Sequence, residues 1–168
     1  MVEVEVAFIS IEAGTGIPIL FLKETAGSPK RMLPIWIGQP EAMSIQWKLK
    51  DESPPPRPMT HDLMKNIIER LDAKVSSVFV HSLVPALRDA GTFMGQINLE
   101  VKGKKLEIDS RPSDAIALAL RFGAPIYVAE PILQENGFSE NELQEAEKQQ
   151  SKGLLEDLDE DTLGRFTV

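Results

Sequence analysis

Two stretches of this chain set a guanidinium, a proline and a carboxylate close together: Arg57-Pro58-Met59-Thr60-His61-Asp62 and Arg111-Pro112-Ser113-Asp114. Asp109 precedes the second, so two carboxylates flank Arg111. Carboxylates hold hard divalent cations, while arginine and the free N–H groups of a helix start hold phosphate. His61 adds a group that gives or takes a proton near neutral pH, with Asp62 beside it to orient the ring. A positioned water, a neutralised phosphate and a protonated leaving oxygen are the requirements of phosphodiester hydrolysis, and these side chains can meet them. On that chemistry the catalytic candidates are His61, Asp62, Asp109, Arg111 and Asp114. Arg57, Arg111 and Ser113 are the candidates for holding substrate, and Asp109 with Asp114 for holding Mg²⁺. For either stretch alone a structural account competes: an acid in the first helical turn suits the helix dipole, and a nearby arginine pairs with it.

Other polar and aromatic residues carry weaker signals. His81 lies in the apolar run VFVHSLV and reads as a satisfied sheet histidine. Glu41 opens a helix and reads as a cap, whereas Glu130 follows a strand end and is a candidate for completing a carboxylate cluster. Trp36 and Trp47 have rings that can stack on bases, but core or subunit-interface packing is the simpler expectation. The sequence has no glycine-rich phosphate loop, no G-x-S-x-G, no H-E-x-x-H and no strongly basic run. With no cysteine, thiol nucleophiles and disulfides are excluded, and with only two histidines a tightly bound transition metal is not expected.

Placing these residues requires a sheet and several helices. Met1 to Ile11 alternates with a strand period, Pro18 to Lys23 reads as a second strand, and Arg31 to Ile37 as a third. Tight turns between them suggest a meander, and Pro34 places the third strand at an edge or makes it irregular. Glu41 to Lys50 reads as a helix, and the proline-rich Asp51 to Met59 as a stiff connector. Thr60 to Leu71 is predicted helical, capped by Thr60, with Leu63, Ile67, Ile68 and Leu71 facing the core. Lys74 to Val84, Thr92 to Val101 and Lys104 to Asp109 read as strands, the last two joined at Lys102-Gly103. Arg111 to Gly123 is the plainest helix, and a strand at Ile126 to Ala129 follows it, so a crossover makes part of the sheet parallel. Ser139 with Glu142 forms a capping box for a last helix through Gln150. The fold class is α/β or α+β: one domain over residues 1–138, with a mixed sheet of about six to seven strands and helices packed against it, then an acidic helix and tail over 139–168.

The chain's 168 residues, 42% of them hydrophobic and 26% charged, suffice for one buried core. A net charge of −8 argues at first against a nucleic-acid partner. Most of that excess lies after Ser139, which leaves the body near neutral, so overall charge decides nothing about the ligand. Apolar runs are too short for a membrane span, and the start, rich in valine and glutamate, is not a signal peptide, which leads to a cytoplasmic expectation.

Four ordered segments match something known: Leu33-Pro34-Ile35-Trp36-Ile37-Gly38 with Glu41-Ala42; Arg57 to Leu63; Asp109 to Ile116 (DSRPSDAI); and Ala124-Pro125-Ile126-Tyr127-Val128. Together they resemble the bifunctional nuclease family, from about Val2 to Ile132. The acidic end, Leu155 to Phe166, is similar to the ends seen in that family. The resemblance implies a self-associating α/β domain that acts on or binds nucleic acid, DNA and RNA, with His61, Asp62, Asp109, Arg111, Ser113 and Asp114 at motif positions. A non-catalytic binding or regulatory module is the alternative, its Arg/Asp pairs serving only to cap helices.

Overall fold

Alternating apolar and charged residues at the N-terminus build an antiparallel meander of β1 (Val2–Ile11), β2 (Pro18–Glu24) and β3 (Arg31–Trp36). Val2, Val4 and Val6 turn inward while Glu3 and Glu5 face out, and a bulge between Val6 and Phe8 resets the register so that Ile9 again meets the core. The chain, seen in a computed structural model, is described over residues 1–50, 56–84, 91–139 and 142. The remaining elements are α1 (Gln39–Leu49), α2 (Thr60–Arg70), β4 (Ala73–Val84), β5 (Thr92–Val101), β6 (Lys104–Ser110), α3 (Pro112–Phe122), β7 (Ile126–Val128), α4 (Glu130–Asn136) and β8 (Phe138–Ser139).

The eight strands form one mixed sheet in the order β6-β5-β4-β7-β1-β2-β3-β8. The expected strand count of six to seven was short because β8 is only two residues long and pairs only with Arg31 and Met32. Neither β8 nor the seven-residue α4 carries a periodic signal of its own. From edge strand β6, the chain crosses over through α3 and returns as β7, parallel to β4. Pro34 pairs with Phe21 on one side, beyond the reach of β8 on the other, so its missing N–H faces an effective sheet edge.

Helix α3 is the pivot of this arrangement. Ala115, Ile116, Ala117, Leu118 and Ala119 are essentially inaccessible, and the helix packs on α1, α2, β4 and β5. Its small alanines let neighbours approach closely, and burying Ile116 and Leu118 contributes roughly 2 kcal/mol each. Gly95 in β5 permits this seat: a Cβ there would lie 2.9 Å from the Pro112 nitrogen and 3.0 Å from the Ser110 carbonyl oxygen.

The orientation of α2 departs from its apolar pattern. Leu63 and Ile67 are each 50% exposed and Leu71 64%, while His61, Met64 and Ile68 turn toward the protein. Polar ties from His61 and Asp62, described below, set the rotation of the helix and override the leucine-isoleucine stripe. Its N-cap is Met59 rather than Thr60; the Met59 N–H donates to Asp62 Oδ2 at 3.0 Å. Leu49, in the last turn of α1, is 43% exposed. At the far end Ser139 N–H and Oγ both donate to Glu142, so the start of the expected capping box exists. The helix through Gln150, the acidic tail and residues 51–55 of the connector lie outside the described residues.

Candidate active site

Pro112 opens α3 at the end of β6, which leaves Arg111 as an extended N-cap and turns Asp114 back over the first helical turn. Arg111 Nε donates to Asp114 Oδ2 at 2.7 Å, and its Nη2 donates to Asp114 Oδ1 at 3.0 Å and to Glu41 Oε1 at 2.7 Å. These bonds use three of the five guanidinium N–H groups, and among the described residues the two on Nη1 have no partner and can meet a ligand. Arg111 is 63% exposed, while Glu41 beneath it is 13% exposed. The hydrogen bonds to Asp114, then to Glu41, push the guanidinium further toward permanent charge. Gly38 keeps Glu41 in place, because a Cβ there would collide with Glu41 Oε2.

His61 lies on the inner side of this pair. Its Nε2 is 3.1 Å from Asp114 Oδ1, and its Nδ1 is 2.9 Å from Ser44 Oγ. An ionised carboxylate can only accept, so Nε2 carries the proton, and a neutral ring then takes the Ser44 hydroxyl at Nδ1. Burial alone would raise the Asp114 carboxyl, but hydrogen bonds from Arg111 and then His61 outweigh it and hold the group below the ordinary aspartate range. Ser44 and His61 are both buried, so this Ser–His–Asp chain is an internal tie between α1, α2 and α3, not an exposed nucleophile.

The expected partnership of His61 with Asp62 does not form. Successive helical side chains point about 100° apart, and Asp62 instead accepts from Arg121 Nε at 2.6 Å. Burial pushes the Asp62 carboxyl up, but the Arg121 and Met59 donors outweigh it and hold it low. Arg121, only 5% exposed, also donates to the carbonyl oxygens of Ala117 and Ser44.

A hollow of about 740 Å³ opens beside this constellation, with His61, Asp109, Ser110, Arg111, Asp114 and Glu41 among its lining residues. The two motifs, some fifty residues apart in sequence, therefore share one cleft. Asp109 is exposed at the end of β6, and among the described residues its carboxylate has no hydrogen-bond or ion-pair partner. Ser113 faces away, toward a smaller hollow of about 330 Å³ that also touches Trp36, Phe93 and Arg111. Arg57 is exposed just ahead of α2 and is not among the residues lining either hollow. Glu130 joins no carboxylate cluster at this site; it pairs with Arg31 at 2.8 Å. Trp36 is 52% exposed rather than buried, its indole N–H donating to Glu12.

Ser44, Glu41 and Arg121 complete the site, and sequence reasoning passed over two of them. A serine within an amphipathic helix has no distinguishing signal, and an arginine in a last turn reads as a dipole partner. Glu41 stood out only as a cap. Among the described residues, no three His, Asp or Glu side chains converge as a metal cage. Both Asp114 oxygens are already committed, so Asp109 is the one donor of the expected Mg²⁺ pair with a free carboxylate.

The chain resembles two uncharacterized proteins, one from each of two strains of Mycobacterium tuberculosis. Each is 39% identical over 137 residues, spanning 82% of this chain and 77% of the relative. Residues 20–141, which contain every side chain of the constellation above, match the bifunctional nuclease domain, and the chain belongs to that family.

Proposed function

We propose that this chain is a nuclease that hydrolyses phosphodiester bonds in DNA and RNA with low sequence specificity. The observation that carries the reading is an exposed Arg111, two N–H groups unspent, beside the free carboxylate of Asp109 in one open hollow. Arg111 receives the phosphate, and Asp109 takes a proton from the attacking water; as the water oxygen bonds to phosphorus the P–O bond to the leaving sugar oxygen breaks, and that oxygen takes its proton from solvent in the open hollow. Phosphate contacts carry no sequence information, which fits low specificity. His61 and Ser44 act as positioning residues: they hold Asp114, and Asp114 with Glu41 holds the guanidinium. Two carboxylates hold the arginine and a third lines the same hollow, so a hard cation would help admit a phosphate. Asp109 is the residue that would hold Mg²⁺, which would offset the negative charge of the site. The partners are DNA and RNA in the cytoplasm, and exposed apolar residues such as Ile11, Leu63 and Ile67 suit contact between copies in a homo-oligomer.

Purified protein is tested on single-stranded and duplex substrates, with Mg²⁺ and with chelator. Arg111→Ala and Asp109→Asn are each expected to lower cleavage about 100-fold while thermal unfolding stays near that of the parent. Sedimentation of the same preparation is expected to show a species larger than the 18.6 kDa monomer. Undiminished cleavage in both variants, or activity that separates from the protein on a column, discards the assignment. A second reading, a self-associating nucleic-acid- or protein-binding module, is favoured by the full engagement of His61 and Asp114 in internal bonds. Binding without cleavage by the parent would select it.

A further inference from the structure

The hollow beside Arg111 is more than a phosphate seat. Its walls are predominantly apolar, and three of the chain's six methionines line it: Met43, Met59 and Met64. Ile97, buried in β5, and Ile108, 43% exposed on β6, also line it. Met43 is 55% exposed although polar residues fill many other surface positions of α1. Thioethers are polarisable and adaptable, and they contact aromatic ring edges and faces favourably. A volume of about 740 Å³ lies in the range of small-molecule sites, which pair an apolar wall with a few polar groups at one end.

From this juxtaposition we infer that the methionine-walled part of the hollow receives the unstacked base of a single-stranded nucleotide whose phosphate lies on Arg111. The inference rests on the reading of the hollow as a nucleic-acid site and adds which part of the ligand each end takes. The guanidinium complements the phosphate, and the flat apolar base fills the methionine wall. A base paired within a duplex cannot enter such a hollow without leaving its stack, so single strands bind in preference.

The test labels the methionine methyl groups of the whole protein with ¹³C and titrates three probes: adenosine 5′-monophosphate, ribose 5-phosphate and inorganic phosphate. The nucleotide is expected to shift the Met43, Met59 and Met64 signals saturably through its ring current. Met1, Met32 and Met94, which do not line the hollow, serve as internal references. The two base-free probes are expected to leave all six signals nearly unmoved. Met43→Ala with Met64→Ala is expected to weaken nucleotide binding about tenfold, and Met43→Leu much less. Equal responses to the nucleotide and to phosphate overturn the base site, as do methionine shifts that follow protein concentration alone, which would mean a second copy covers the groove. Nucleotide shifts in a protein that cleaves nothing support the base site and end the nuclease reading. Cleavage without nucleotide shifts does the reverse.

Discussion

At the start of α3, Arg111 clasps the aspartate three residues ahead of it and remains 63% exposed. At the start of α2, Asp62 bypasses Arg57 and pairs with Arg121 from another helix, a guanidinium only 5% exposed. The two Arg-Pro stretches look interchangeable in sequence, yet the arginine of one forms the lip of the hollow while the aspartate of the other joins a staple between helices. Water makes the difference. An arginine at the lip keeps N–H groups for a ligand, and its ion pair contributes little to stability. A guanidinium shut between α1, α2 and α3 must satisfy its donors internally, and removing it strands the groups that faced it.

The largest test of this contrast compares alanine at the two arginines. Arg121→Ala is expected to cost about 3 kcal/mol in chemical denaturation, at the low end for a buried pair because Asp62 keeps some solvent. Arg111→Ala is expected to cost about 0.5 kcal/mol or less, its loss falling on phosphate binding. Equal costs would erase the distinction.

Acid titration sharpens it next. Asp62 and Asp114 both lie below the ordinary aspartate value of 3.8. A carboxyl lowered by folding adds stability that is fully present above its unfolded value and is lost as pH falls through its folded one. Asp114→Asn should therefore lower stability at pH 7, and its gap from the parent should narrow as pH falls below 3.8, the ordinary aspartate value, and through the lower folded one. A gap of constant size down to that acidity would assign the damage to packing instead of charge.

The smallest effect concerns Gly38. Gly38→Ala would push the flexible end of Glu41 off Arg111 with little steric cost. Inorganic phosphate should then bind about two- to threefold tighter by calorimetry, since one competing carboxylate has left. Unchanged or weaker binding would show that Glu41 supports the guanidinium more than it shields it.

Local chemistry made much of this molecule legible in sequence. The V-E-V-E-V alternation of β1, the turn at Lys102-Gly103 and the alanine-rich run closed by Gly123 each specify their element through nearest-neighbour preferences. The types and spacing of Asp109, Arg111 and Asp114 pointed to an anion-binding helix start for the same reason. Which side chains meet was not legible, because those contacts cross between elements. Leu63, Ile67 and Leu71 have a core-facing spacing, yet the long-range bonds of His61 to Ser44 and Asp114 turn that stripe outward. Asp62 and Asp114 each stand near an arginine in sequence, but only packing decided that one would meet Arg121 in a closed interior and the other Arg111 at an open surface. Secondary structure and residue chemistry follow from short-range sterics and hydrogen bonding; accessibility and partnership follow from how α1, α2 and α3 settle on the sheet, and burial sets their energetic weight.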